Sequence, residues 1–227
     1  MTTTGPYDAL IFDLDRTLVE HDQPPSAAFA AACAAVGREP FCDPATLERA
    51  AEAVRSGSTT LDAGGFERRV FETAAAAAGV DVDAPALARA FRDALDHEAV
   101  SLRPGARTAL DAAAAYDCAL VTNGPARTHE TRLEAVGLGD RFETTVFGSD
   151  VPRVKPAQEP FERALAGLGA TPDRTLKIGD SLQMDVAGAN DLGIDTAWVP
   201  YGDRRRTASD PEPTHTLQSL AELPTVL

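Results

Sequence analysis

Short apolar runs alternate with helix-like stretches along much of the chain. Five apolar runs predict strands, at residues 9–14, 118–122, 144–147, 175–179 and 196–200. Helical patterns separate the last four runs, at residues 128–136, 159–168 and 184–192. Strands that alternate with helices are typical of βαβ units, so the pattern predicts an α/β fold with a doubly wound parallel sheet.

The region between the first two strands breaks this alternation. It is rich in alanine and predicts four helices, at residues 26–36, 44–54, 65–78 and 85–98. A segment of this length can pack on itself. We therefore predict an α/β core formed by residues 1–20 and 101–227, with an inserted helical domain at residues 21–100. A short helix at residues 217–223 is expected near the end of the chain.

Two aspartates directly follow the first apolar run, in the sequence Phe12-Asp13-Leu14-Asp15. A buried strand normally excludes carboxylates, because removing an ionised group from water is very unfavourable unless it is paired or bound to a metal. Residues two apart on a strand point to the same side, so two like charges would lie together. Cationic partners are therefore expected at this position.

Polar residues follow four of the predicted strands or the loops beside them. They are Asp13-Leu14-Asp15-Arg16-Thr17, Thr122-Asn123-Gly124, Lys155-Pro156, and Gly179-Asp180-Ser181 with Asp185. We expect them at one site, because ligands of open α/β sheets bind at the carboxyl ends of the strands. Clustered carboxylates repel one another without a cation, and Mg2+ prefers carboxylate oxygens and water. Lysine, threonine and the N–H groups of helix starts suit a phosphate. The residues thus predict a magnesium and phosphate site.

In order and rough spacing, these four groups resemble the motifs of the haloacid dehalogenase (HAD) superfamily of hydrolases. The resemblance extends over essentially the whole chain. It implies a Rossmann-like core with a helical cap that closes to exclude water and to shape the leaving-group pocket. It also implies a Mg2+-dependent phosphatase that acts on a small phosphomonoester.

The resemblance further implies roles for individual residues. Asp13 would attack phosphorus and form an aspartyl-phosphate, and Asp15 would protonate the leaving alcohol and then activate water. The phosphoryl oxygens would be held by Thr122, by the backbone of Asn123 and by Lys155.

A magnesium ion would be held, by the same resemblance, by carboxylates and one backbone oxygen. Its expected ligands are Asp13, the backbone carbonyl of Asp15, Asp180, and Asp185 either directly or through water. Arg16 stands where the family usually has glycine or aspartate. It would bind a second anionic group of the substrate if it faces the cleft, and it is a surface charge if it faces away.

Other functions stay open at this stage. Relatives in the superfamily include sugar phosphomutases and 2-haloacid dehalogenases, and a non-catalytic binding protein with the same fold is a further alternative. The segment at residues 55–60 is either a substrate loop or an ordinary loop between helices. The four histidines show no spacing typical of metal ligands.

The charge composition limits the partners. A net charge of −14 disfavours nucleic acid and anionic membranes, so a small phosphorylated metabolite is the expected partner. Only two of the 21 basic residues are lysines, Lys155 and Lys177. The acidic surplus favours adaptation to high salt, while a GC-rich genome alone would explain the scarcity of lysine but not the charge. Lys177 is expected only to form an ion pair near Asp180.

The remaining features concern the compartment. No apolar stretch is long enough for a membrane span, and the first residues lack the basic and apolar regions of a signal peptide. The three cysteines form no metal-binding or disulfide pattern and are expected to be free thiols. These observations predict a soluble cytoplasmic protein.

Overall fold

The chain forms two compact units in a computed structural model that describes residues 5–56 and 65–227. One unit comprises Met1–Glu20 and Val100–Leu227, and the other comprises His21–Ala99. Of the candidate loop at residues 55–60, residues 57–60 lie outside the described part of the chain. None of the described helices combines the length and the apolarity needed to cross a bilayer.

A parallel sheet forms the centre of the first unit. The strands of the described residues are β1 (Ala9–Phe12), β2 (Val19–His21), β3 (Val100–Leu102), β4 (Asp117–Val121), β5 (Thr144–Val146), β6 (Thr175–Gly179), β7 (Asp195–Trp198) and β8 (His215–Thr216). Six of them are hydrogen-bonded in the order β5-β4-β1-β6-β7-β8, all parallel, while β2 and β3 pair separately. β1 lies inside the sheet, with β4 and β5 on one side of it and β6, β7 and β8 on the other. The predicted doubly wound α/β fold is therefore confirmed.

Helices of the same unit flank this sheet. The helices of the described residues are α1 (Pro25–Ala35), α2 (Pro44–Ser56), α3 (Gly65–Ala78), α4 (Ala84–Asp93), α5 (Ala106–Ala112), α6 (Ala126–Ala135), α7 (Glu159–Leu168) and α8 (Ala187–Asn190). Those that flank the sheet are α5 to α8, while α1 to α4 belong to the helical unit. Alternate residues of β1 point to opposite faces. Leu10 and Phe12 therefore pack with residues of α5 and α6, and Ile11 packs with Phe161 of α7 on the other side. This two-sided burial explains why β1 has no polar residue before Asp13.

The helical unit has an apolar core of its own. Phe29 of α1 stacks on Phe71 of α3 with the ring centroids 5.7 Å apart, and Phe71 meets Phe91 of α4 edge-on at 5.5 Å. Small buried residues of the same cluster, such as Ala32 and Ala74, take up little space between the helices. The alanine-rich segment therefore packs on itself.

Several element boundaries differ from the expected ones for local reasons. The helix predicted at 85–98 ends at Asp93, because the Asp96 carboxylate accepts hydrogen bonds from the N–H groups of Glu98 and Ala99 and forms a turn instead. The helix predicted at 184–192 is a π-helical turn, Leu182–Val186, followed by α8. The helix predicted at 217–223 is a 3-10 helix at Leu220–Thr225. The short β2, β3, β8 and α5 were not predicted.

Candidate active site

The parallel strands bring three of the predicted motifs to one edge of the sheet. Phe12, the last residue of β1, is in register with Leu120 of β4 and Ile178 of β6. The N–H of Asp13 continues this ladder and donates to the Ile178 carbonyl at 2.9 Å. Asp13 thus lies between the ends of β4 and β6, which are followed by Thr122 and Asp180.

Lys155 joins two buried carboxylates at this edge. Its Nζ donates to Asp13 Oδ1 at 2.6 Å, to Asp185 Oδ1 at 2.7 Å and to the Val121 carbonyl at 2.9 Å. The three charged residues are 3%, 6% and 1% exposed, in the order Lys155, Asp13 and Asp185. An ion pair removed from water to this degree is tolerated only when hydrogen bonds satisfy it, as they do here.

The side chain of Asn123 holds the backbone of Lys155. Its Nδ2 donates to the Lys155 carbonyl at 3.0 Å, and its Oδ1 accepts from the Lys155 N–H at 2.9 Å. This two-way hydrogen bond ties the loop after β4 to the loop that carries the lysine. The sequence had suggested a use only for the backbone of Asn123, so this function of its side chain is an addition.

The π-helical turn after β6 places Asp185 beside Lys155. Asp185 Oδ2 accepts from the Ser181 N–H at 3.2 Å, and Oδ1 lies 3.1 Å from Nζ of the buried Lys177. A Cβ at position 179 would overlap the Asp185 carboxyl group, so glycine is required there. The structure thus pairs Lys177 with Asp185, whereas the sequence had placed its ion pair only near Asp180.

Three carboxylates converge closely enough to bind one cation. Asp13, Asp180 and Asp185 each offer an oxygen, and these oxygens lie within 4.8 Å of one another. Burial, together with the charges of Asp13 and Asp185, raises the pKa of Asp180 to about 7. The donor set is hard oxygen, and it holds more negative charge than the two buried lysines neutralise. The site therefore fits a hard divalent cation such as Mg2+.

The other pKa shifts in the cluster show the same competition between burial and charge. Burial raises the pKa of Asp13 above its usual value, although Lys155 opposes this effect. Burial would also raise the pKa of Asp185, but Lys155 and Lys177 together hold it below its usual value. For Lys155, burial disfavours the charged form, yet Asp13 and Asp185 more than offset this and raise its pKa. Lys155 is therefore a cation throughout the neutral pH range.

Two buried threonines lie in the same layer. The Thr17 hydroxyl donates to Asp13 Oδ2 at 3.0 Å and accepts from the Asp180 N–H at 3.0 Å, so it links the first and last motifs. Thr122 is also buried, and its N–H donates to the Val146 carbonyl at 3.0 Å.

The Asp15 side chain lies against α6 and is not among the three clustered carboxylates. Nη1 of Arg132 donates to both carboxylate oxygens, at 2.6 and 2.7 Å, and His129 Nε2 lies 2.8 Å from Oδ2. Both partners are buried, while the Asp15 side chain is 34% exposed. Sequence reasoning missed His129 and Arg132. The available signal was their spacing of three residues on the helix that follows Thr122-Asn123-Gly124.

Arg16 has an unusual backbone and a nearby aromatic partner. Its φ of 63° lies in the left-handed region, and its carbonyl accepts a hydrogen bond from Nη1 of Arg103. The Arg16 guanidinium lies 5.5 Å from the centroid of the Tyr201 ring, and that of Arg103 lies 5.2 Å from it. The charge of Arg16 partly opposes the rise in the pKa of Asp180, so the guanidinium lies near the carboxylate cluster.

The chain belongs to the haloacid dehalogenase-like hydrolase family, whose model matches residues 7–193. The superfamily predicted from the four motifs is therefore confirmed. The chain is 32% identical over 202 residues to an N-acetylmuramic acid 6-phosphate phosphatase of Pseudomonas aeruginosa, covering 86% of this chain and 82% of that protein.

Other relatives match over a shorter range. A mouse N-acylneuraminate-9-phosphatase is 31% identical over 109 residues, which is 48% of this chain and 44% of that protein. The chain thus spans about half the length of several curated relatives that it matches. The magnesium-bound structure of the HAD-hydrolase YfnB from Bacillus subtilis superimposes with a TM-score of 0.78 at 23% identity, covering 97% of this chain and 98% of that one. This likeness concerns the fold.

Proposed function

We propose that the protein is a Mg2+-dependent phosphatase that hydrolyses a small phosphomonoester through an aspartyl-phosphate on Asp13. The observation that carries the proposal is the buried cluster in which Lys155 bridges Asp13 and Asp185 beside Asp180. The phosphatases among the relatives support the same class of reaction.

In the first step, a carboxylate oxygen of Asp13 forms a bond to phosphorus. The bond between phosphorus and the alcohol oxygen breaks, and that oxygen takes a proton from the Asp15 carboxyl group. Lys155 offsets the negative charge of the transferring group, and Thr122 and the Asn123 backbone are the proposed further contacts of its oxygens. The product of this step is a phosphorylated Asp13 and a free alcohol.

In the second step, the Asp15 carboxylate takes a proton from a water molecule. The water oxygen bonds to phosphorus, and the bond between phosphorus and Asp13 breaks. Inorganic phosphate leaves, the Asp13 carboxylate is restored, and Asp15 again carries the proton that the next cycle needs.

A magnesium ion would be held by Asp13 and Asp180, and by Asp185 directly or through water. The Asp15 backbone carbonyl is the proposed further ligand. Bound there, the ion would mask phosphate charge and hold the phosphoryl group in place. The cluster supports this assignment because burial, together with the charges of Asp13 and Asp185, raises the pKa of Asp180, and a bound cation would relieve both effects.

Arg16 is the proposed contact for a second anionic group on the substrate. Its guanidinium is close enough to the carboxylate cluster to act on Asp180, and it is partly exposed. The helical unit is proposed to act as the cap that selects the leaving group, as the family resemblance implies. A cytoplasmic location, a small phosphorylated metabolite as partner, and the absence of nucleic-acid and membrane partners remain predictions.

The test measures phosphate and chloride release side by side. Wild type, Asp13→Asn and Asp15→Asn would be assayed with p-nitrophenyl phosphate, a panel of phosphorylated metabolites and 2-chloropropionate, each with Mg2+ and with EDTA. We expect phosphate release that needs the metal and disappears in Asp13→Asn, with no chloride release. Lasting phosphate release in Asp13→Asn would refute the covalent step.

The same assay separates the alternative functions. A halide leaves as a weak base and needs no proton, so metal-independent chloride release that survives Asp15→Asn would identify a dehalogenase. Isomerised sugar phosphate without free phosphate would identify a mutase. Binding without turnover of any compound would identify a non-catalytic protein.

A further inference from the structure

Two buried side chains of α6 converge on the Asp15 carboxylate. Arg132 contacts both of its oxygens, and His129 lies within hydrogen-bond distance of one of them. The two side chains are themselves adjacent, with Arg132 Nη1 3.3 Å from His129 Nε2. They are 5% and 3% exposed.

This arrangement differs from an ordinary surface ion pair, because the guanidinium of Arg132 is buried. A buried guanidinium is strongly unfavourable unless a carboxylate and good hydrogen-bond geometry compensate for the lost hydration. Here the compensating carboxylate is Asp15, which keeps about a third of its own surface open to solvent. The Asp15 carboxyl group is thus held from its buried side and stays accessible on the other.

The residues around His129 fix its ring in place. Thr128 Oγ1 lies 3.2 Å from His129 Nδ1, so the opposite ring nitrogen is directed at Asp15. A Cβ at position 124 would overlap the imidazole, and the glycine there leaves the space that the ring fills. Gly124 directly follows Thr122 and Asn123, so the turn that carries the phosphate-binding motif also accommodates His129.

We infer that His129 and Arg132 are positioning residues that hold the Asp15 carboxyl group where it exchanges protons with the leaving alcohol and with water. This inference rests on the proposed phosphatase function and adds two residues to it. Neither residue needs to touch the substrate. They act through Asp15, because they are anchored on α6 and hold in place a carboxyl group that the loop after β1 alone would not fix.

A positioning function predicts a selective effect on substrates. An alkoxide is a strong base and leaves only with a proton, whereas p-nitrophenolate is a weak base and leaves without one. Loss of a well-placed acid should therefore affect ethyl phosphate far more than p-nitrophenyl phosphate. General acid catalysis is typically worth about 10²–10⁴-fold, so the difference is measurable.

The experiment compares kcat/KM for ethyl phosphate and p-nitrophenyl phosphate in several variants. This constant reports the steps up to departure of the alcohol and excludes the later hydrolysis of phospho-Asp13. The variants are Arg132→Met, Arg132→Lys, His129→Gln, Asp15→Asn and the double variant Asp15→Asn/Arg132→Met. The control is Arg141→Met, which removes a partly buried arginine away from Asp15, whose Nη2 donates to the Leu110 carbonyl.

For Arg132→Met, we expect kcat/KM to fall for both esters, and the fall should be at least about tenfold greater for ethyl phosphate than for p-nitrophenyl phosphate. In the conservative variants Arg132→Lys and His129→Gln, the extra loss on ethyl phosphate should be smaller, because each new side chain retains a hydrogen-bond donor. In the double variant the selective loss should equal that of Asp15→Asn alone, since the two changes remove one function. Arg141→Met should leave the ratio of the two kcat/KM values unchanged.

Equal losses on both esters, or selective losses that add in the double variant, would overturn the inference. Arg132→Lys and His129→Gln decide the same point if Arg132→Met does not fold. A wild type that releases phosphate from neither ester, and from no metabolite of the panel, would instead refute the proposed function itself. The two failures are thus distinguishable.

Discussion

The environment of Lys155 explains why two buried carboxylates are stable at the edge of the sheet. The lysine contacts Asp13 and Asp185 through one ammonium group, and the Val121 carbonyl accepts its remaining hydrogen bond. The pairing raises the pKa of Lys155 even though burial acts in the opposite direction. Its charge is therefore structural as well as available for catalysis.

Lys155→Met should impair both stability and turnover. The change leaves two buried carboxylates without their shared cation, and breaking a buried ion pair by removing one partner costs about 3–5 kcal/mol. The loss of an electrostatic contact to the transferring group should also lower kcat by about 10²-fold or more. Urea unfolding and phosphatase assays with saturating Mg2+ would measure the two effects.

Arg174→Met provides the matched control for that variant. Arg174 pairs with Asp8 at 2.8 Å on the exposed surface, where solvent screens the charges and an ion pair contributes little to stability. It should leave stability and turnover nearly unchanged. A rate loss below about tenfold in Lys155→Met would show that this lysine is peripheral to the chemistry.

The clustered residues of the site could be predicted from the sequence, but the partners of Asp15 could not. Asp13, Lys155, Asp180 and Asp185 follow strands or adjacent loops, and the register of parallel strands brings such positions together. His129 and Arg132 contact Asp15 only because α6 presents that particular face to the loop after β1. The rotation of one helix is decided by tertiary packing, which a sequence pattern does not specify.

At the scale of elements, the same contrast separates regular segments from short ones. β6 was predicted with its observed limits, because a short, mostly apolar run that ends at a glycine is a strong signal. β8 has two residues and β2 has three, too few for any periodicity to appear. The π-helical turn at Leu182–Val186 was also not predicted. Such turns are rare and follow from tertiary contacts, here those of Asp185, and not from the propensity of the local sequence.

The junction between β4 and α6 gives a testable case of such coupling between elements. Gly124→Ala should destabilise the protein by about 1–3 kcal/mol, because its Cβ would overlap the His129 ring and force the ring to move. Thermal or urea unfolding would measure this loss. Gly139→Ala is the control, because a Cβ there would meet only Glu134 Cγ at 3.8 Å.

A background that lacks the ring tests the cause of that effect. In His129→Ser the space beside Gly124 is open, so Gly124→Ala should lose most of its penalty. If the penalty is the same with and without the His129 ring, steric overlap is not its origin.

For the whole molecule, the carboxylate cluster predicts a stability that depends on both pH and metal. Asp180 has its pKa raised to about 7 in the folded protein, while an unfolded aspartate titrates near about 3.9. Between these values the folded state binds more protons, so the metal-free protein loses stability as the pH rises. Mg2+ competes with that proton and should stabilise most where the carboxylate is free.

The increase in Tm caused by Mg2+ should therefore be larger at about pH 8 than at about pH 6. Differential scanning fluorimetry of wild type and Asp180→Asn measures it without any enzyme assay. Asp180→Asn should lose most of the Mg2+ effect and of its pH dependence. A metal effect that is equal at both pH values would show that Asp180 does not bind the ion.

The net charge of −14 sets the second property of the whole molecule, its response to salt. Like charges spread over a small protein repel one another and destabilise the compact state. The screening length falls from about 10 Å at 0.1 M salt to about 3 Å at 1 M, so concentrated salt removes most of this repulsion.

If the acidic surplus is an adaptation to high salt, Tm should rise clearly between about 0.1 M and about 2 M KCl. NaCl should act alike, because the effect is one of ionic strength, whereas an equal molarity of sucrose should not reproduce it. Equal Tm values at both KCl concentrations would instead favour a GC-rich genome as the reason for the scarcity of lysine.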